Sequence, residues 1–254
     1  MTWAGQRRFV IGGILLVLAA ALIAVTVIAT VYKTPTCSDN IQNQGEQGVD
    51  CGGPCAKLCS SQVSQPVVRF TQAVVAGPGR TDVIAYIDNP NVSAAARGVK
   101  YDITLYDTSH VIAATGISGT IDLPPGASVP IFVPNVPVKV PIAAAFTALD
   151  TSAAAWRTGP DTRLLPSVGS PVIAGTPTAP RITVSLGNSS VTPMENVRVI
   201  ATVFDVTGNV IAATQTVVPT IPAQGSAIAS FNWMQPFSAA VGRIDVVPLI
   251  PLAP

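Results

Sequence analysis

The residues with reactive side chains are few in this chain, and the cysteines among them all lie in one short segment. Cys37, Cys51, Cys55 and Cys59 occur in a stretch that has almost no large apolar residues. Such a stretch cannot build a hydrophobic core, so covalent closure is its physical route to order. We therefore expect two disulfides, and four cysteines leave three connectivities open. The alternative is a zinc site of four thiolates, which is disfavoured because the usual Cys-x-x-Cys pairs are missing.

Four oxygen-donating side chains lie in the same segment, at Asp39, Asn43, Glu46 and Asp50. Calcium prefers carboxylate and carbonyl oxygens, so these residues are candidate calcium ligands and calcium is the one cofactor that the sequence suggests. Their spacing does not match an EF-hand loop. A solvated, turn-rich loop without a metal is therefore the favoured interpretation.

The same segment resembles a short cysteine-rich motif of secreted and surface proteins, C-x-D-G-x-x-N-x-x-E-x-x-x-D-C-G-G-x-C. The four oxygen donors match it, as do Cys37 and the run Cys51-Gly-Gly-Pro-Cys55, whereas Asn40 stands at the usual glycine. The resemblance implies a location outside the cytoplasm and indicates no particular ligand.

The chain contains few side chains that could perform acid–base catalysis, since it has one histidine and 11% charged residues. His110 lies beside Asp107 and Ser109, but adjacent residues of one turn cannot align a nucleophile, a base and an orienting group. Asp107 and Asp205 each precede turn residues, so we expect them to cap their own turns. We predict that the protein is not an enzyme. The formal net charge of +1 also argues against a nucleic-acid partner.

An uncharged run at residues 9–32 follows Arg7 and Arg8 and precedes Lys33. At about 1.5 Å per residue this run is long enough to cross a bilayer core of roughly 30 Å. Arginines before the run favour a cytoplasmic N-terminus, so residues 1–8 are the predicted cytoplasmic tail and the C-terminal region is predicted to be outside. The lipid bilayer is therefore an expected partner of residues 9–32. A cleaved signal peptide is the alternative, disfavoured by the length of the run.

The rest of the chain contains an internal repeat. Residues 99–107 align with residues 197–205, an offset of about 98 residues, and Val-Ile-Ala-Ala-Thr occurs at both Val111 and Val210. The same alignment matches Asn89 with Asn188 and Phe132 with Phe231. Both copies alternate apolar and polar residues with a period of two, which is typical of half-buried strands.

This pattern predicts an all-β fold of two tandem Ig-like antiparallel β-sandwiches after a single-pass transmembrane helix. The predicted divisions are a cysteine-rich stalk (33–65), sandwich 1 (66–150), a linker (151–165) and sandwich 2 (166–254). Leu105 and Val203 are expected in the sandwich interiors, whereas Thr104 and Thr202 point to the opposite face and should tolerate Asp. Trp156, in the linker, is expected between the modules, and the proline-rich linkage suggests that they unfold semi-independently.

Residues 103–107, Ile-Thr-Leu-Tyr-Asp, resemble the FxLYD-type β-sandwich modules of microbial surface proteins. In the second copy Ala201, Val203, Phe204 and Asp205 take the corresponding positions, with only Asp identical. The resemblance implies an Ig-like fold and no catalytic residue.

Two functions fit these expectations. The first is a membrane-anchored structural or adhesive protein of the cell envelope, which binds an unknown protein or envelope polymer. The second is an accessory subunit of an envelope secretion or assembly complex.

Overall fold

The computed structural model describes residues 3–31 and 36–252. By its internal contacts the chain divides into two compact units, Met1–Cys55 and Ala56–Pro254. Some predictions fall on residues outside the described ones: the first two residues of the cytoplasmic tail, Tyr32 at the end of the membrane run, Lys33 and the start of the stalk, and the last two residues of sandwich 2.

The first unit contains one long helix, α1 (Trp3–Val31). Within it, Val10–Ala29 has a mean hydropathy of 2.9 and none of it is buried against protein. The expected apolar helix is therefore confirmed, and it starts before the predicted membrane run, so that Arg7 and Arg8 are helical as well. A membrane anchor and a signal sequence both satisfy these properties, so the anchor and its orientation stay predictions.

The second unit is built from antiparallel strands, which confirms the all-β prediction. The strands are β1 (Val67–Gly77), β2 (Arg80–Asp88), β3 (Ala94–Asp107), β4 (Ile112–Leu123), β5 (Ser128–Pro137), β6 (Ile142–Asp150), β7 (Ala155–Thr158), β8 (Ser167–Val168), β9 (Val172–Thr176), β10 (Ala179–Gly187), β11 (Met194–Asp205), β12 (Val210–Ile221), β13 (Ser226–Asn232) and β14 (Val241–Leu249). A short 3₁₀ turn, Ser60–Gln62, precedes them.

The repeat is visible in the sheet topology. The first copy pairs a sheet in the order β1-β2-β5 with a sheet in the order β4-β3-β6. The second copy repeats the latter order as β12-β11-β14, and its other sheet joins β13 and β9 to β10. Strand β1 pairs with β2, and the equivalent of β2 in the second copy, β10, pairs with both β8 and β9. Strands β8 and β9 together therefore correspond to β1, with an interruption at residues 169–171. Each copy encloses its own apolar core between its two sheets.

Matching asparagines fix the loop after the second strand of each copy. Asn89 and Asn188 are both 3% exposed. The Asn89 amide donates to the carbonyls of Ala94 and Leu123 at 2.8 and 3.3 Å. Asn188 donates to Thr192 and Ile221 at the same two distances. The predicted alignment of these two residues is therefore confirmed by equivalent bonding.

The predicted alignment of Phe132 with Phe231 is wrong. Phe231 pairs with Ile182 in the interior of sandwich 2, whereas Phe132 pairs with Ile84 on the outer face of its sheet. The residue equivalent to Phe132 is Ser230. The two phenylalanines are one residue out of step, and a shift of one residue moves a side chain to the other face of a strand.

The strand register confirms the interior positions and corrects one outer position. Leu105 and Val203 are both fully buried, as expected, and Thr104 is half-buried. Thr202, however, is also fully buried, so the expectation that it tolerates Asp is wrong. The reason is that sandwich 1 covers the outer face of β11.

The segment predicted as a linker is partly a strand of sandwich 1. Strand β7 pairs with the start of β3, and Trp156 within it is 3% exposed in the core of sandwich 1. Trp156 is therefore buried inside one module and not between the two. The end of the predicted stalk also packs on this module, since the Leu58 amide donates to the Trp156 carbonyl at 3.0 Å and the Thr158 amide to the Ala56 carbonyl at 2.8 Å.

Candidate functional sites

The cysteine-rich segment is closed by disulfides. One disulfide joins Cys37 to Cys55. The other two cysteines, Cys51 and Cys59, are also disulfide-bonded, so that none of the four is free. The prediction of disulfides is therefore confirmed. The sulfur atoms of Cys37 and Cys55 lie within 4.8 Å of a Glu46 carboxylate oxygen, but sulfurs joined in a disulfide are not the thiolates that a zinc site needs.

The three carboxylates among the candidate calcium ligands accept hydrogen bonds from their own loop, whereas the Asn43 Oδ1 is buried without a hydrogen-bond partner among the described residues. Glu46 accepts hydrogen bonds from the backbone amides of Asn43 and Asp50 at 3.2 and 3.3 Å. The Asp50 carboxylate accepts the Asn40 amide at 3.1 Å. Asp39 accepts the Asn43 side chain at 3.0 Å, and this bond, together with the Thr36 amide, lowers the pKa of Asp39. These contacts support the turn-rich loop that the sequence favours, and calcium binding stays the alternative to it.

The departure from the cysteine-rich motif at Asn40 has a conformational explanation. Asn40 has φ of +61°, in the left-handed region where glycine is the usual residue. Asparagine enters that region more easily than most other residues. The loop can therefore keep the backbone conformation that the motif glycine would provide.

The two strand-end aspartates cap their own turns, as predicted. Asp107 accepts the amides of Ser109 and Val111 at 2.8 and 2.9 Å. Asp205 accepts the amides of Thr207 and Asn209, both at 2.9 Å, and the Thr207 hydroxyl is the largest cause of its lowered pKa. Asp107 therefore serves as a turn cap next to the exposed His110.

A second apolar layer lies between the two sandwiches. The outer face of the β1-β2-β5 sheet packs on the outer face of the β12-β11-β14 sheet, so that the second unit is a stack of four sheets. The interface cluster consists of buried Ile84, Tyr86, Ile200 and Ala213, with Phe70, Val74, Phe132, Val210 and Leu249 packed around them.

Aromatic and polar contacts stabilise this interface. Phe70 stacks on Tyr86 at 5.1 Å and meets Phe204 edge-on at 6.1 Å, between ring centroids. The Arg243 guanidinium lies 4.1 Å above the Phe204 ring. The Tyr86 hydroxyl donates to the Thr202 hydroxyl at 3.1 Å across the interface. Burial raises the pKa of Tyr86 to about 12.

The two copies differ in sequence where the interface forms, a signal that comparison of the copies alone could have found. The outward positions of equivalent strands are Ile84, Tyr86 and Phe132 in the first copy and Thr183, Ser185 and Ser230 in the second. The polar set faces solvent, as the outer surface of a terminal repeat does. The apolar set is the one that the other sandwich covers.

A groove runs beside this interface. It has a volume of about 650 Å³ and is lined by residues 246–251, by the start of β5 at Ser128 and by Val168. Arg163 and Arg198 lie at the same groove. Arg163 is engaged, donating to Asp161 and to the Ile250 carbonyl, whereas Arg198 makes no hydrogen bond or ion pair with the described residues. This groove is therefore one candidate binding site of the chain.

An aromatic cluster lies on another groove between the sandwiches. Trp233 and Phe237 meet edge-on at 5.2 Å, and Met234 beside them is 96% exposed. The groove has a volume of about 340 Å³ and also includes the β1–β2 turn at Pro78. Trp156 does not contribute, because it is buried in the core of sandwich 1.

Comparison with known proteins does not assign a family. No family model matches the chain. No curated protein matches it either. Among solved structures, red sea bream transglutaminase matches with 14% identity and a TM-score of 0.25, over 73% of this chain and 29% of that one. A TM-score that low does not establish a shared fold or function. The resemblances to the cysteine-rich motif and to FxLYD modules therefore stay predictions.

Proposed function

We propose that the chain is a membrane-anchored, non-catalytic protein that presents a rigid pair of Ig-like sandwiches on the outer side of the membrane. Its role there is structural or adhesive, as a surface of the cell envelope for a protein or polymer. The observation that carries this proposal is the apolar interface between the sandwiches, because it turns two small modules into one body of four sheets.

Three features support this proposal. The apolar stretch Val10–Ala29 is long enough to span a bilayer. The disulfides suit a segment outside the cytoplasm, where thiols are not kept reduced. The aspartate beside the single histidine is used for capping a turn, which supports a role without catalysis.

The distribution of lysine makes the orientation testable. All the lysines lie after α1, at Lys33, Lys57, Lys100 and Lys139. An amine-reactive reagent that does not cross membranes should therefore label them on intact cells, with a cytoplasmic marker protein as the unlabelled control. Labelling that appears only after the cells are permeabilised would refute the outside location.

The second candidate function is an accessory subunit of an envelope secretion or assembly complex. The groove beside Arg198 favours it, since it is an open site that a partner polypeptide fits. Affinity purification from a mild detergent extract separates the two functions. A stable, stoichiometric membrane complex supports the accessory subunit, whereas a chain that purifies alone and binds cells or envelope polymer supports the adhesive role.

A further inference from the structure

The last strand of sandwich 2 has a free edge inside a cavity. Within residues 36–252, β14 forms a ladder with β11 alone. The consecutive residues 244–247 line a cavity of about 380 Å³, which continues into the 650 Å³ groove along residues 246–251. Side chains of a strand alternate between its two faces, so consecutive residues can line one cavity only when the strand presents its edge. We call these joined cavities the β14 trough.

Pro248 shows which backbone groups point into the β14 trough. It pairs with Val199 in the β11–β14 ladder and has no N–H to donate. A proline fits such a strand where its nitrogen faces away from the neighbouring strand. In an antiparallel ladder these positions alternate, so Val246 and Ile244 also turn their N–H and C=O groups away from β11. The free groups of Ile244 and Val246 are a template for another strand, and this template ends at Pro248, which offers no N–H.

In the first copy a continuous strand covers this position through side-chain contacts, without a backbone ladder. Strand β6, the equivalent of β14, lies beside the continuous strand β1, and the Thr71 and Thr147 hydroxyls are 2.7 Å apart between them. In the second copy the strand equivalent to β1 is broken at residues 169–171. Val168, Gly169 and Pro171, from both sides of this break, line the trough opposite residues 244–247.

We propose that the β14 trough binds an extended segment of another polypeptide, which adds to the edge of β14 as a strand. Its apolar side chains would lie against Val168 and Val246, and a carboxylate at one end would meet Arg198. The inference rests on the proposed function for where the partner is met. Binding itself is a property of the folded β unit and does not depend on which side of the membrane it lies.

A peptide taken from this chain is the natural probe, because β1 lies beside β6, the equivalent of β14, in the first copy. The probe has the sequence of Val67–Gly77 with Thr71→Val, since the residue opposite is Val246 where the first copy has Thr147. Two further versions carry one Asp at the N-terminus or at the C-terminus. A scrambled peptide of the same composition is the control. All are tested by fluorescence anisotropy on the purified full-length chain in detergent.

We expect saturable binding of the probe and none of the scrambled control. One of the two Asp versions should bind several-fold more tightly, and Arg198→Gln should abolish that gain. Hydrogen exchange should show that the amides of Ile244 and Val246, which exchange freely alone, become protected by the probe. The amides of Asp245 and Val247 should be protected with or without it, because they bond to β11.

Backbone recognition is separated from side-chain recognition by two changes. N-methylation of alternate probe residues should abolish binding in one of the two frames only. Val246→Pro should abolish binding, whereas Val246→Ala, which shortens the same side chain but keeps the N–H, should retain it. Urea unfolding establishes whether both variants are folded. If the proline variant does not fold, the methylated probes test backbone recognition by themselves.

Several outcomes would overturn the inference. The first is no binding at a probe concentration of about 1 mM, the weakest affinity of interest. The second is binding without protection of Ile244 and Val246. The third is a stable dimer of the chain that the probe dissociates, which would make a second copy the occupant. Loss of lysine labelling on intact cells would contradict the proposed location and leave all three of these tests unchanged.

Discussion

The hydrogen bond between Tyr86 and Thr202 makes the interface between the sandwiches measurable. Tyr86 is 3% exposed and Thr202 is fully buried, and their hydroxyl oxygens are 3.1 Å apart. Thr202→Val replaces the hydroxyl by a methyl group of similar size and leaves the Tyr86 hydroxyl buried without its partner. The expected loss is about 1–3 kcal/mol of unfolding free energy, the usual cost of an unsatisfied buried polar group.

Removal of both partners should cost less than the sum of the single losses. Tyr86→Phe leaves the Thr202 hydroxyl unpaired, but the double variant leaves neither group unsatisfied. We therefore expect a coupling energy of about 1–2 kcal/mol in a double-mutant cycle, within the range seen for residues in direct contact. The matched control is Thr104→Val, at the equivalent half-buried position of the first copy, where the change should stay within about 0.5 kcal/mol.

The assay is urea unfolding of the full-length chain in detergent, followed by tryptophan emission. Trp156 lies in the core of sandwich 1 and Trp233 packs against the core of sandwich 2, so both modules are reported. Additive losses at Tyr86 and Thr202, or a Thr202→Val effect as small as that of Thr104→Val, would refute the packing of these two sheets against each other.

Three other outcomes follow from the same contacts. Leu105→Ala and Val203→Ala should each lower the unfolding free energy by about 2–5 kcal/mol in a urea titration, because both side chains are fully buried. Tyr86 has a folded-state pKa of about 12, above the unfolded value of about 10, so its contribution is complete below pH 10 and is lost as the pH rises through 12; Tyr86→Phe should remove this alkaline loss from a pH series of melts. The oxidised chain should weigh about 4 Da less than the reduced chain by mass spectrometry, since all four cysteines are in disulfides.

Several local features of this protein, namely strands, turn caps and disulfides, are predictable from its sequence. The period-two alternation around Leu105 and Val203 predicted the strands and their interior faces, because each sheet buries one side against its partner. The turn chemistry of Asp107 and Asp205 was also readable, since a carboxylate at a strand end caps the amides that follow it. The cysteines predicted disulfides because their segment has too little apolar surface to form a core.

What the sequence left open is the packing of one sheet against another. Thr202 looks like an outward residue of a half-buried strand, and only the arrangement of the two copies makes it a core residue. The misalignment of Phe132 has a similar origin, because the register shift between Ile103 and Leu105 in the β3–β4 ladder changes the offset between the copies without an obvious mark in the sequence. The trough depends on the break at residues 169–171, whose consequence appears only when β14 is in place.

The central claim is that both sandwiches lie outside the membrane as one rigid body, and limited trypsin digestion of intact cells tests it most directly. Arg157 and Arg163 offer cleavage sites between the modules, but Arg157 lies in β7 and Arg163 is held by Asp161 and the Ile250 carbonyl. We predict that, after reduction, one resistant fragment spans both sandwiches and is released without lysis. Early cleavage within residues 151–165, or complete protection until the cells are lysed, would contradict the account.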